Sequence, residues 1–118
     1  MEADASPATE TSLPPERVTG LLDEGRAQVI DVRGACEWEV GHVGGARHIE
    51  FDQVSAHADT IDMATPVVFQ CRGGSRSEMI AAAFRESGWD AYNIEGGLRA
   101  WEERELPLEP EGGRIEGA

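Results

Sequence analysis

The sequence predicts a three-layer α/β domain, with a mostly parallel central sheet flanked by helices. Three observations lead there. The chain has 118 residues, room for one core of ordinary size. Short apolar runs alternate along it with stretches of helical spacing, the order that lays helices on both faces of a parallel sheet. The clearest run, Pro66 to Gln70 (PVVFQ), is apolar without alternation, as in a strand buried on both faces.

The elements follow in chain order. Residues 1–12 are small, polar and acidic, and are expected to form a disordered tail or a short edge segment. Pro14-Pro15-Glu16 starts a helix; Val18, Leu21 and Leu22 follow at helical spacing, and Gly25 closes it. Gln28 to Asp31 (QVID) is a short apolar strand. Gly41, Gly44 and Gly45 mark a loop, and Ala46 to Ile49 forms another strand. Phe51 and Val54 define a short helix, with His57 and Asp59 leading out of it. After the strand at Pro66–Gln70, residues 71–75 form a Gly-containing loop. Residues 76–87 form a helix whose Met79, Ile80, Ala83 and Phe84 make two adjacent stripes on one face, ending at Gly88. Ala91 to Ile94 is a further strand, Gly96-Gly97 a turn, and Leu98 to Arg104 a last helix. The domain is expected to span residues 13–107, with an acidic, Gly-rich tail over 108–118.

Charge narrows the function classes. Formal net charge is −13, and all ten basic residues are Arg. Residues 1–16 hold four acids and no base; the eight Arg and thirteen acids of residues 17–101 leave that stretch at −5. Such acidity argues against nucleic acid and anionic membrane surfaces as partners, because both would repel it. The first residues, MEADASPATETSLPPER, lack the basic and apolar stretches of a secretory signal. No run reaches the roughly 18 apolar residues that a transmembrane helix requires. The expectation is a soluble, cytoplasmic protein. Cys36 and Cys71 are too few for a disulfide framework, and their spacing fits no zinc motif.

Cys71-Arg72-Gly73-Gly74-Ser75-Arg76 joins the best-defined strand to a helix start, and ligands of open α/β sheets bind at strand carboxyl ends. Nucleophilic chemistry needs a thiolate, whereas an ordinary free cysteine is mostly protonated at neutral pH. Three features of the loop favour the anion. Backbone N–H groups of a tight loop can converge on it. The following helix presents the positive end of its dipole. Arg72 and Arg76 add positive charge in an acidic protein. Gly73 and Gly74 are expected to supply backbone angles that a β-carbon hinders. This cradle suits an anionic substrate and a covalent sulfur adduct alike. A Cys and an Arg around a Gly-rich loop is also the plan of cysteine phosphatases, but those resemble a Cys, five residues and Arg, usually with His before the Cys. Here four residues intervene and Gln70 precedes, so the loop encloses a smaller anion.

The segment Cys71 to Ser77 resembles the six-residue active-site loop of rhodaneses. Asp31-Val32-Arg33, Glu37-Trp38 and Gly41-His42-Val43-Gly44-Gly45-Ala46 together are similar to the family's first signature, and Glu95-Gly96-Gly97-Leu98-Arg99-Ala100-Trp101 to its C-terminal segment. Gly44 stands where many members carry Pro. The resemblance runs from about residue 13 to residue 107. It implies a sulfurtransferase that moves a sulfane sulfur from an anionic donor such as thiosulfate to cyanide or a thiol, through a persulfide on Cys71. No metal or organic cofactor is required. Arg72 would attract the donor, and the loop residues Gly73, Gly74, Ser75 and Arg76 would bind it, with Arg76 also bracing the loop. The alternative is a sulfane-sulfur carrier or regulatory module serving a sulfur-accepting protein; a Cys-dependent phosphatase or arsenate reductase is the weaker reading.

The remaining candidates are expected to be structural. Asp31 and Arg33 fix the turn after their strand, with Arg33 expected to pair with Glu37. His42 is read as a hydrogen-bonding residue near the site, not a general base. Cys36 is read as an incidental thiol, with a resolving role as the alternative. Trp38, Trp89 and Trp101 are expected to pack.

Overall fold

A computed structural model describes residues 11–115, so the expectation for residues 1–10 lies outside the described residues. The strands and helices are β1 (Ser12–Leu13), α1 (Pro15–Asp23), β2 (Gln28–Asp31), α2 (Ala35–Val40), β3 (His42–Val43), β4 (Arg47–His48), β5 (Val67–Gln70), α3 (Ser75–Glu86), β6 (Ala91–Ile94), α4 (Gly97–Glu103) and β7 (Leu108–Glu109). Two 3₁₀ turns, Phe51–Gln53 and Ser55–Thr60, stand where a short helix was expected.

Five strands form one sheet in the order β1-β6-β5-β2-β4, and every pairing in it is parallel. β5 lies at its centre with all four residues buried, which is why its sequence shows no polar alternation. Helices cover both faces. On one, Ile80, Ala81 and Phe84 of α3, with Val54 and Ile61 that flank the second 3₁₀ turn, pack on Ile30, Phe69 and Ala91. On the other, Val18 of α1 and Leu98 and Trp101 of α4 pack on Val29, Val68 and Ile94. The three-layer α/β architecture predicted from the sequence is the one observed.

Three local expectations need correction. On α3, Ser77, Ile80, Ala81 and Phe84 are buried, whereas Met79 is 64% exposed and Ala83 faces solvent. The inward stripe therefore runs through Ile80 and Phe84, one turn apart, and the Met79–Ala83 stripe points outward. A helix also forms over Ala35–Val40, where no element was expected; it buries no residue and so carries no apolar stripe.

The segment after residue 107 is not a free tail over its described length. β7 pairs antiparallel with β3, matching His42 with Glu109 and Val43 with Leu108. Arg114 N donates to Val40 O at 3.2 Å, and Ile115 is buried. The ordered fold thus extends past residue 107, because Leu108 and Ile115 supply apolar area that the core of the α1–α4 face takes up.

Candidate active site

β5 ends at Gln70, and the chain enters its loop with Cys71, which is 1% exposed. Three donors converge on the sulfur. Gly74 N donates to Sγ at 3.1 Å, Ser77 N at 3.5 Å, and Ser77 Oγ lies 3.4 Å away. The first turn of α3 follows at once, so the amides of its N-cap Gly74 and of Ser77, at the positive end of its dipole, reach the same atom. The geometry is that of an anion cradle built around a cysteine.

Two contacts hold the loop from the far side. Leu98 N donates to Cys71 O at 2.9 Å, and Arg99 N to Arg72 O at 3.0 Å, so the start of α4 supports the loop backbone. This close approach requires Gly97. A β-carbon there would fall 2.5 Å from Arg72 O, and the residue has φ +67°. Within the loop only Gly74 has a positive φ, at +104°; a β-carbon on Gly73 would meet nothing within 4 Å. The expectation that both loop glycines serve the backbone conformation therefore holds for Gly74 alone.

Arg72 is half-buried, and its guanidinium has no hydrogen bond or ion pair among the described residues, so it is available to an anion. Arg76 is differently placed. Its Nη2 lies 3.8 Å from Glu37 Oε2, while Glu37 Oε1 accepts from Gly34 N at 3.0 Å. Arg76 thus ties α3 to α2, and part of its charge is offset there. Ser75 is exposed at the start of α3.

Arg33 pairs with Asp31 instead of Glu37. Both side chains are fully buried; Arg33 Nε donates to Asp31 Oδ1 at 2.9 Å, and Nη2 to Oδ2 at 2.7 Å. Nη2 also reaches Gly41 O at 2.7 Å. Asp31 ends a buried strand, and Arg33 gives its carboxylate the charge and hydrogen-bond partner that burial demands. His48 Nε2 donates to Arg33 O at 2.7 Å. His42 Nδ1 donates to Trp38 O at 2.7 Å, and its ring stacks on Trp38 with centroids 3.5 Å apart. His48 stacks on Trp38 as well, at 4.9 Å. The other ring nitrogen of His42, Nε2, lies 4.0 Å from Glu109 Oε1. Cys36 is exposed on α2, while Cys71 is buried in the core on the α3 face.

Two buried residues beside the sulfur were not singled out in the sequence. Ser77 follows Gly74 by three positions, one helical turn into α3, which returns its side chain to the loop. Asn93 lies inward on β6, in line with buried Ala91, and its Oδ1 accepts from Ser77 Oγ. A polar residue at an inward position of an apolar strand was the available signal for Asn93. Among the described residues no cluster of three or more His, Cys, Asp or Glu could hold a metal ion, and no helix is long and apolar enough to cross a membrane.

A parallel sheet delivering a cysteine into an amide cradle at its carboxyl edge is the arrangement of rhodaneses, and the chain belongs to the rhodanese-like domain family, whose model matches residues 14–104. Among its relatives is the thiosulfate sulfurtransferase GlpE of Pseudomonas aeruginosa, 38% identical over 88 residues, covering 74% of this chain and 79% of the relative. The GlpE of Actinobacillus succinogenes is 33% identical over 100 residues, covering 84% and 90%. Of solved structures, a rhodanese-like domain protein from Staphylococcus aureus superimposes with a TM-score of 0.72 at 27% identity, covering 91% of this chain and 99% of that one. A rhodanese-related protein from Thermoplasma volcanium, at 20% identity and a TM-score of 0.76 over 82% and 95%, shares the fold.

Proposed function

We propose that this protein is a thiosulfate sulfurtransferase with Cys71 as its nucleophile. The observation that carries the reading is the convergence of Gly74 N, Ser77 N and Ser77 Oγ on Cys71 Sγ, which stabilises sulfur as an anion. It is further supported by relatives that bear this activity in their names.

The thiolate of Cys71 attacks the outer sulfur of thiosulfate. A new S–S bond forms to Sγ, the original S–S bond breaks, and sulfite leaves with the electron pair. Cys71 then carries a persulfide. A nucleophilic acceptor, cyanide or a thiol, attacks the outer sulfur, and the electron pair returns to Sγ as thiolate. Arg72, whose guanidinium has no partner among the described residues, draws the anionic donor to the mouth. The backbone of Gly73, Gly74 and Ser75 lines the approach, and Arg76 braces the loop through Glu37. A catalytic thiolate of this kind suits the reducing conditions of a cytoplasm. The acceptor is a small thiol, cyanide or the thiol of a protein.

Steady-state kinetics with thiosulfate and cyanide test the reading. Thiocyanate should form with the parallel-line pattern of a covalent intermediate, and Cys71→Ser should form none. Hydrolysis of aryl phosphates that depends on Cys71, without sulfur transfer, would overturn it.

A further inference from the structure

Beside the sulfur lie two polar side chains whose burial needs a reason. Ser77 is 0% exposed and Asn93 6%. Asn93 sits on β6, in register with Phe69 of β5, the strand that leads into Cys71. Ser77 Oγ faces three acceptors: Asn93 Oδ1, Gly74 O at 3.2 Å and Cys71 Sγ at 3.4 Å. A hydroxyl has one proton, so these acceptors compete for it. Asn93 makes the shortest of the three contacts, and it is the alternative to the sulfur. The amides of Gly74 and Ser77 are fixed in the backbone and cannot turn to another acceptor.

We propose that Ser77, steered by Asn93, is a positioning residue that stabilises Cys71 as the leaving thiolate when the persulfide gives up its sulfur; this rests on the function proposed above. In the persulfide, Sγ is bonded to the outer sulfur and carries no formal charge, so the hydroxyl donates to Asn93. When the acceptor attacks the outer sulfur, the S–S bond breaks and its electron pair passes to Sγ. The hydroxyl then turns from Asn93 Oδ1 to Sγ, a rotation about one bond, and no proton is transferred. During loading the charge moves the other way. Sγ spends its negative charge on the new bond, and its hydrogen bond from Ser77 weakens as the reaction proceeds. The hydroxyl therefore helps release and does not help attack.

Single-turnover measurements at alkaline pH separate the two halves. Loading is followed as sulfite released from thiosulfate. Release is followed as thiocyanate formed when the isolated persulfide protein meets cyanide. Ser77→Ala should slow release about tenfold, the effect of losing one hydrogen bond to a charged atom worth about 1.4 kcal/mol. Loading should stay within about twofold of wild type or become faster. Asn93→Asp keeps the side-chain volume but offers only acceptors, so it holds the hydroxyl away from sulfur and should show the same asymmetry. It also carries the test if Ser77→Ala does not fold. Equal slowing of both halves in either variant would make the pair a mere prop for the loop and overturn the proposal, as would release at the wild-type rate. A wild-type protein that never releases sulfite would overturn the functional reading and this proposal with it.

Discussion

Replacing Gly97 with alanine asks whether the start of α4 holds the catalytic loop in place. The new β-carbon would lie 2.5 Å from Arg72 O, 2.8 Å from Gly73 C and 2.9 Å from Gly74 N, where ordinary contact begins at 3.4 Å. The loop backbone must retreat by about 0.9 Å to admit it. A misplacement near 1 Å can cost about 100-fold in rate when reacting atoms must align. The left-handed φ of +67° adds strain of roughly 1–2 kcal/mol for any L side chain. Gly25 supplies the control. Its φ is +68°, but a β-carbon there meets nothing within 4 Å, and it lies at the far end of α1. Gly25→Ala should therefore lose about 1–2 kcal/mol, roughly 4 °C per kcal/mol in Tm, and keep its activity within twofold. Gly97→Ala should lose more stability and about 100-fold in kcat/KM for thiosulfate. The assays are thiocyanate formation and thermal unfolding of both variants. If Gly97→Ala matches Gly25→Ala in both, α4 does not position the loop.

Arg72→Ala should lower kcat/KM for thiosulfate by roughly 10- to 150-fold, since a hydrogen bond to a charged group is worth about 1.5–3 kcal/mol. An uncharged sulfane donor should suffer much less, and added salt should bring wild type toward the variant; equal losses for both donors would mean that Arg72 shapes the loop instead. Cys36→Ser should keep sulfur transfer within a few-fold, because Cys36 lies exposed on α2; a persulfide that forms but cannot turn over would make Cys36 a resolving thiol. Asp31→Ala strands the guanidinium of Arg33 in the interior and should cost about 3–5 kcal/mol in chemical denaturation. A loss below about 1 kcal/mol would mean that the pair is solvated.

What could be read from the residues, and what could not, divides along physical lines. Local signals carried the sheet and the place of Cys71 at its carboxyl edge. The apolar runs QVID and PVVFQ are adjacent strands of that sheet, and the Cys-Arg-Gly-Gly loop that follows PVVFQ leads into a helix start. What failed depended on tertiary contact. α2 buries nothing, so no periodicity marks it. β3 and β7 pair across more than sixty residues, and neither carries a strand pattern of its own. Arg33 could have met Glu37 four positions on, but burial of Asp31 decided its partner and left Glu37 to Arg76. Ser77 and Asn93, sixteen positions apart in the chain, meet only because β6 lies beside β5.

Intact-protein mass spectrometry after thiosulfate treatment tests the central claim most directly. Wild-type protein should gain the mass of one sulfur atom, a reducing thiol should remove it, and Cys71→Ser should gain nothing. The same gain on Cys71→Ser would place the sulfur on another residue and contradict the assignment of Cys71 as the carrier.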